Sequence, residues 1–326
     1  MSGLRWGILA AGGIADIFTS DLRTAGIDVR AVGSRELAKA SAFAAKHEIA
    51  SAYGSYEELV EDPGLDIIYV ATPHPMHAEA ALLALDHGKH VLVEKAFTLN
   101  AAEARAVRDR ARERGLLAME AMWTRYLPHM VRIRELLAAG VLGELRGMQL
   151  DHSQSLPRDP LHRVNNPALG GGALLDLGIY PVSFAWDVLG APEQVLASAT
   201  FTDTGVDAEI AMTLRYAEGA IATSFSSLCS RGPNTATILG EQARIEIDPI
   251  WFSATSFRVI DLKDQVIDTF ESRLDGRGMQ YQALAAEAIV AAGERDSRIL
   301  PIDESVAIME TLDEIRAQIG LRYPGE

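Results

Sequence analysis

Residues 7–16, GILAAGGIAD, decide how the first third of the chain is read. They follow a short apolar run and precede an amphipathic stretch, the place where a dinucleotide-binding turn belongs. In the G-x-G-x-x-G/A pattern the middle glycine lets the backbone approach a pyrophosphate, which then rests on the helix amino terminus. The register here is Ala10-Ala11-Gly12-Gly13-Ile14-Ala15, so alanine stands at the first glycine position. Taken alone, the same residues would also suit a tight strand-to-helix connection packed with small side chains. What lies around the turn favours the nucleotide.

From residue 4 to about 122, short apolar runs alternate with helical stretches: LRWGILAA then 13–23, DVRAVGS then 35–47, DIIYVAT then 74–87, KHVLVEK then 100–115. Such alternation predicts a parallel sheet wound with helices and buried on both faces. After AMEAMWTRYLP the texture changes. A helix over 128–139 leads into LGELRGMQLDHSQSL, and strand signals follow at 194–203, 207–216, 219–228, 234–239, 243–248, 256–262 and 266–271. Many alternate with the two-residue period of a half-covered sheet, YAEGA and LGEQAR read as hairpin turns, and helices are expected at 171–189, 278–293 and 303–319. The expected fold class is therefore an α/β Rossmann domain, residues 1–122, plus an α+β domain, residues 123–326, with a large, open-faced, mostly antiparallel sheet. The final helix is expected to return to the first domain. The uncovered sheet face needs a cover, and a homodimer contact supplies one economically.

Composition narrows the function. A net charge of −15 repels phosphate backbones and anionic membrane surfaces, so no nucleic-acid or membrane partner is expected and any phosphate site must be local. With a single cysteine, Cys229, neither a disulfide framework nor a thiolate zinc site can form within the chain, which fits a reducing, cytoplasmic setting. The first residues lack the basic leader of a signal peptide, and no apolar run reads as a membrane span. The histidine pair His74 and His77 has no accompanying ligand cluster, so no metal is expected.

At the end of the second strand signal, Ser34-Arg35 stands where NAD usually meets an acidic residue. An arginine fork suits a 2′-phosphate, which favours NADP with NAD still possible; otherwise Arg35 simply sits in the first turn of an exposed helix. Ligands bind at the carboxyl ends of wound strands, which brings in Thr72, His74 and His77 after one strand and Glu94 and Lys95 after the next. Lys95 would face the cofactor crevice unless it only snorkels from the strand end. In GGGALLDLGIYPV, 170–182, Asp176, Tyr180 and Ser183 share one face of a helix and converge on a cleft. Pro181 is expected to bend that helix or end its first part. A tyrosine satisfied by an aspartate is also a common core arrangement.

Together GILAAGGIAD, VATPHPMHAEAAL, GKHVLVEKAFTLNAAEA, MEAMWTRYLP and GGGALLDLGIYPVSFAWDVLG resemble the Gfo/Idh/MocA oxidoreductase family over the whole chain, and within it the dihydrodiol and NADP-dependent D-xylose dehydrogenase branch. The resemblance implies a substrate held between the open-faced sheet and the nicotinamide. It places the family lysine on Lys95, the helix pair on Asp176 and Tyr180, and Trp123 and Arg125 near the nicotinamide or the substrate mouth. The family's EKP is EKA here; a cis bond before Ala96 would cost about 3 kcal/mol, so Lys95 is expected to sit somewhat differently. Trp251, Phe252 and His152 are aromatic neighbours to which the sequence assigns no role.

The implied function is NADP-dependent hydride transfer at a hydroxyl or carbonyl carbon of a sugar, polyol or cyclic diol. Lys95, Tyr180 and Asp176 are the catalytic candidates. Ala10, Gly12, Gly13, Ile14, Ser34, Arg35, Thr72, His74, His77, Glu94, Lys95, Trp123 and Arg125 are the cofactor-binding ones. A ketosugar reductase would use the same residues in reverse, and a non-catalytic NADP-binding regulator would have no use for a lysine and tyrosine proton relay.

Overall fold

The computed structural model describes residues 3–274 and 276–326. The chain forms two compact units: one runs up to Trp123 and takes in a returning stretch that ends at Met309, and the other holds Thr124–Leu274 and Glu310–Glu326.

In the first unit the order is β1 (Trp6–Leu9), α1 (Gly13–Thr24), β2 (Val29–Gly33), α2 (Leu37–His47), β3 (Ser51–Tyr53), α3 (Tyr56–Glu61), β4 (Ile67–Val70), α4 (His77–Asp86), β5 (His90–Glu94), α5 (Ala101–Arg114) and β6 (Ala118–Ala121). The strands are all parallel and run β3-β2-β1-β4-β5-β6 across the sheet. All four residues of β1 and all four of β4 are buried, as strands covered on both faces require. Each fully buried Ile, Leu or Val there stabilises the fold by about 1.5–3 kcal/mol. The sequence reading passed over β3, α3 and β6, which are three, six and four residues long and too short to show a period. Strand order reverses direction between β1 and β4, so the turns that follow those two strands flank the crevice where wound sheets bind ligands.

The second unit begins with α6 (Pro128–Ala138) and β7 (Leu145–Ser153), and then carries a π-helical turn, Leu174–Gly178, that runs directly into α7 (Ile179–Leu189). Strands β8 (Gln194–Phe201), β9 (Asp207–Arg215), β10 (Ile221–Ser227), β11 (Ala236–Gly240), β12 (Ala243–Ile247), β13 (Phe257–Asp261) and β14 (Val266–Phe270) complete an eight-stranded sheet. Its order is β14-β13-β12-β11-β7-β10-β9-β8, antiparallel throughout except for β7 beside β10. The π turn and α7 lie on one face of this sheet. On strands β8 and β10 the opposite face exposes Leu196, Ile221 and Phe225.

Two helices close the chain, α8 (Gln280–Ala291) and α9 (Ile302–Ile319). The first is tied to the opening elements by charge-assisted hydrogen bonds, since Asp21 of α1 accepts from the Arg277 and Met279 amides and Glu287 of α8 accepts from the Leu4 amide and the Trp6 indole. Ser305 of α9 donates to Glu120 of β6 at 2.8 Å. One helical run among the described residues, Pro167–Leu189, has the length and apolar composition of a membrane span, contrary to the expectation that none would. Its apolar window is 89% buried within the protein, so it is a core helix of this fold.

Candidate active site

Leu9 ends β1, and the turn after it opens with Ala10 at φ 82°, in the left-handed region that favours the glycine this position usually carries. Holding an alanine there costs about 1–2 kcal/mol. Gly12 caps α1 in an extended conformation with no side-chain acceptor for the first helical amides. A Cβ on Gly12 or Gly13 would meet nothing within 4 Å, so the space over this end of the helix is open. Free amides, the positive end of a helix dipole and open room above them suit an anionic diphosphate. After β4 the Thr72 hydroxyl is buried and has no hydrogen-bond partner, a polar atom that a bound nucleotide can satisfy. These features fit a dinucleotide.

Around that cradle the expected residues play different parts. Ser34 is buried just after β2, while Arg35 is exposed and close enough to the Tyr56 hydroxyl to favour its ionised form. His77 is buried between two carbonyls, with Nδ1 2.9 Å from Ala96 and Nε2 2.8 Å from Thr72, and burial pushes its ring below the ordinary histidine value. His74 lies 3.3 Å from the Lys95 carbonyl. The two histidines therefore lace the segment after β4 to the segment after β5. The Lys95–Ala96 peptide bond is cis. Lys95 itself is half-buried.

Three further candidates have well-defined partners within the protein. Glu94 is buried and accepts a short hydrogen bond from the Tyr69 hydroxyl, so it braces β4 against β5. Trp123 is buried beneath the Arg277 guanidinium, 5.3 Å from its ring centroid. Arg125, at 3% exposure, donates from Nε to Ser183 Oγ at 3.0 Å and from Nη2 to the Ser183 carbonyl at 2.6 Å, and it pairs with Asp187 at 3.2 Å. It anchors α7 from within the second unit. The sequence could not show this, because the partners lie 58 and 62 positions further on.

Asp176 and Tyr180 sit on the π turn and the first turn of α7, both nearly buried. Asp176 is held by a bidentate fork from Arg163, at 3.0 and 3.2 Å, a residue the sequence reading did not single out. Tyr180 lies edge-on to His152, with ring centroids 4.9 Å apart, and tilted against Phe252 at 5.5 Å. Ser183 does not join them. The π turn adds about one residue to the coil, which displaces residue 183 by roughly 100° from the face of residue 176, and Ser183 is buried against Arg125 instead. Pro181 does not end the helix; the run passes from π to α geometry at Ile179 and continues to Leu189.

The helix entry explains the glycines. Gly172 takes φ +124°, and a Cβ there would lie 2.0 Å from Oδ1 of Asp207, whose other oxygen accepts from the Leu174 amide at 2.6 Å. Asp207 is wholly buried, and burial pushes its carboxyl up to about 7. The Tyr323 hydroxyl donates to the Gly171 carbonyl at 2.7 Å. No group of three or more potential metal ligands occurs among the described residues.

A wound sheet with an open glycine turn at its switch point and a lysine at a strand end defines a dinucleotide-binding protein. Residues 4–122 match the oxidoreductase family with an NAD-binding Rossmann fold, and residues 130–246 match the GFO/IDH/MocA C-terminal domain. The chain belongs to the Gfo/Idh/MocA family of oxidoreductases. It is 37% identical to trans-1,2-dihydrobenzene-1,2-diol dehydrogenase of Bos taurus over 98% of each chain. It shares its fold with aldose-aldose oxidoreductase from Caulobacter crescentus in complex with glycerol, at TM-score 0.88 and 24% identity over 97% of each chain. A 3-ketoreductase from Actinomadura kijaniata in complex with NADP and TDP-benzene is similar at TM-score 0.85 and 25% identity, over 97% of this chain and 98% of that one.

Because nothing in the protein contacts a side chain at position 12, Gly12→Ala should melt within a few degrees of the wild type. It should bind reduced nicotinamide dinucleotide about 10-fold more weakly, since the added methyl stands where the diphosphate approaches. A fluorescence titration alongside a thermal melt checks both; an unchanged affinity would place the diphosphate elsewhere.

Proposed function

We propose that the protein is an NADP-dependent dehydrogenase that interconverts a secondary alcohol and a carbonyl on a cyclic diol, sugar or polyol. The observation that carries this reading is the open glycine turn beside the unpartnered Thr72 hydroxyl, on the same sheet that presents Lys95 at the end of β5. Full-length likeness to dihydrodiol dehydrogenases supports a cyclic substrate with neighbouring hydroxyls. NADP is favoured over NAD because Arg35, just after β2, offers an exposed guanidinium where NAD usually meets an acidic residue.

When bound, the nicotinamide ring takes up or returns the hydride. The chain must move the accompanying proton. A phenol with the ordinary tyrosine pKa near ~10 is a weak base at neutral pH, and a neighbouring cation makes it a better one by favouring its anion. Tyr180 takes the proton from the alcohol in oxidation and returns it in reduction, and Lys95 supplies the positive charge that favours phenolate and polarises the substrate oxygen. Asp176, held by Arg163, orients a substrate hydroxyl. The bare sheet face bearing Leu196, Ile221 and Phe225 is covered by a second copy of the chain.

Mixing the protein with oxidised cofactor and a panel of aldoses and cyclic diols should generate reduced nicotinamide; silence in both directions would favour a cofactor-binding regulator. Tyr180→Phe should lower turnover by about 100-fold with cofactor affinity retained, and undiminished turnover would shift the proton to Lys95. Arg35→Asp should raise the KM for NADP more than that for NAD by about 10-fold or more, and equal shifts in both would remove the 2′-phosphate assignment. Analytical ultracentrifugation at micromolar concentration should show a dimer, and a monomer there would leave the sheet face uncovered.

A further inference from the structure

In a regular α-helix each carbonyl accepts from the amide four residues on. The residue four positions after Leu177 is Pro181, which has no N–H, so the Leu177 carbonyl receives nothing from that position. The imidazole of His152, near the end of strand β7, supplies a donor there: its Nδ1 lies 3.1 Å from the Leu177 oxygen. A carbonyl only accepts, so Nδ1 carries a proton. On the other side of the ring the Gln154 amide nitrogen lies 3.0 Å from Nε2, and an amide NH2 only donates, so Nε2 is the acceptor. The ring is thereby held in one orientation, with a proton on Nδ1.

That orientation bears on Tyr180. The His152 ring stands at 79° to the phenol and stacks on Phe252 with centroids 3.7 Å apart, and Phe252 in turn meets Trp251, whose indole donates to the Asp151 carbonyl at 2.7 Å. The phenol is confined by a wall whose central member is held by the backbone of the phenol's own helix. We propose that His152 is a positioning residue for Tyr180, fixed through the carbonyl that Pro181 leaves open. The proposal rests on the reading of Tyr180 as the proton carrier. It assigns a role to Pro181 as well, which is otherwise only a flaw in a buried helix. In proton and hydride transfer a misplacement of about 1 Å costs up to about 100-fold, so a group that fixes a ring without touching substrate still governs turnover.

The decisive variant is Pro181→Ala, which returns an N–H to the helix and lets it compete with His152 for the Leu177 carbonyl. We expect turnover to fall about 5-fold or more with KM for cofactor unchanged and melting temperature not lowered. A proline that only shapes the helix predicts full turnover in this variant, and that result overturns the proposal. His152→Leu should lower turnover by about 10-fold, and His152→Asn, which keeps a donor near the Nδ1 position, should recover part of it; equal losses in the two variants count against positioning. Nitrogen-15 NMR of histidine-labelled wild-type protein should show a protonated Nδ1 and an unprotonated Nε2 for His152. Two protonated nitrogens, or the opposite tautomer, overturn the lock whatever the kinetics. If Tyr180→Phe retains turnover while the NMR shows the expected tautomer, the proton-carrier reading has failed and the lock itself stands.

Discussion

The second half of the molecule depends on one buried carboxylate. Asp207 receives the Leu174 amide at the mouth of the helix that carries Asp176 and Tyr180, and it does so with no exposure to water. A charge in that place is costly, which is why burial pushes the carboxyl up to about 7, yet the first amides of a helix are the groups best able to hold it. Asp207 also dictates the sequence around it: at 2.0 Å from a would-be Cβ of Gly172, it leaves that position to glycine, and the φ of +124° would exclude other residues in any case. Because Asp207 opens β9, the helix entry is pinned to the sheet on which the helix lies. Arg163 and Tyr323 then meet a start point that is already fixed, one through Asp176 and the other through the Gly171 carbonyl.

The nucleotide half is organised by the opposite device, polar groups left open. Gly12 and Gly13 carry no side chain over the amides of α1, no side chain caps that helix, and the Thr72 hydroxyl has no partner. Each would be a defect in a closed core, and together they describe a place prepared for a phosphate-bearing ligand. What surrounds them is closed: Glu94 is bonded to Tyr69, and the ring of His77 lies between the Thr72 and Ala96 carbonyls. Open groups set in a braced frame bind with little reorganisation, so the bracing residues matter to affinity without touching the ligand.

How much of this was legible in the sequence follows from the range of each interaction. The wound sheet, the order of its helices and seven strands of the second sheet were visible because periodicity and turn chemistry are local. Strand β3 and helix α3 escaped because three and six residues do not establish a period. Among the candidate residues, the glycines of the first turn were readable because a helix start left open needs positions without side chains. The pairing of Arg125 with Ser183 and Asp187 was not legible, because spacing along the chain carries no trace of it. Arg163 and Asp207 were missed for the same reason, as their partners lie 13 and 33 positions away.

The π turn shows where local reading fails on its own ground. Residues 176, 180 and 183 share a face only if the coil keeps 3.6 residues per turn throughout, and Pro181 was taken as a site of bending. Ahead of the proline one turn is widened, so that the amide of Ile179 reaches back five residues to Leu174. The run stays continuous, the aspartate and tyrosine remain together, and the serine rotates off into the core, where Arg125 requires an acceptor. The residues of this helix fall into two groups. Asp176 and Tyr180 meet Arg163 and the aromatic wall, and Ser183 and Asp187 secure α7 through a buried arginine.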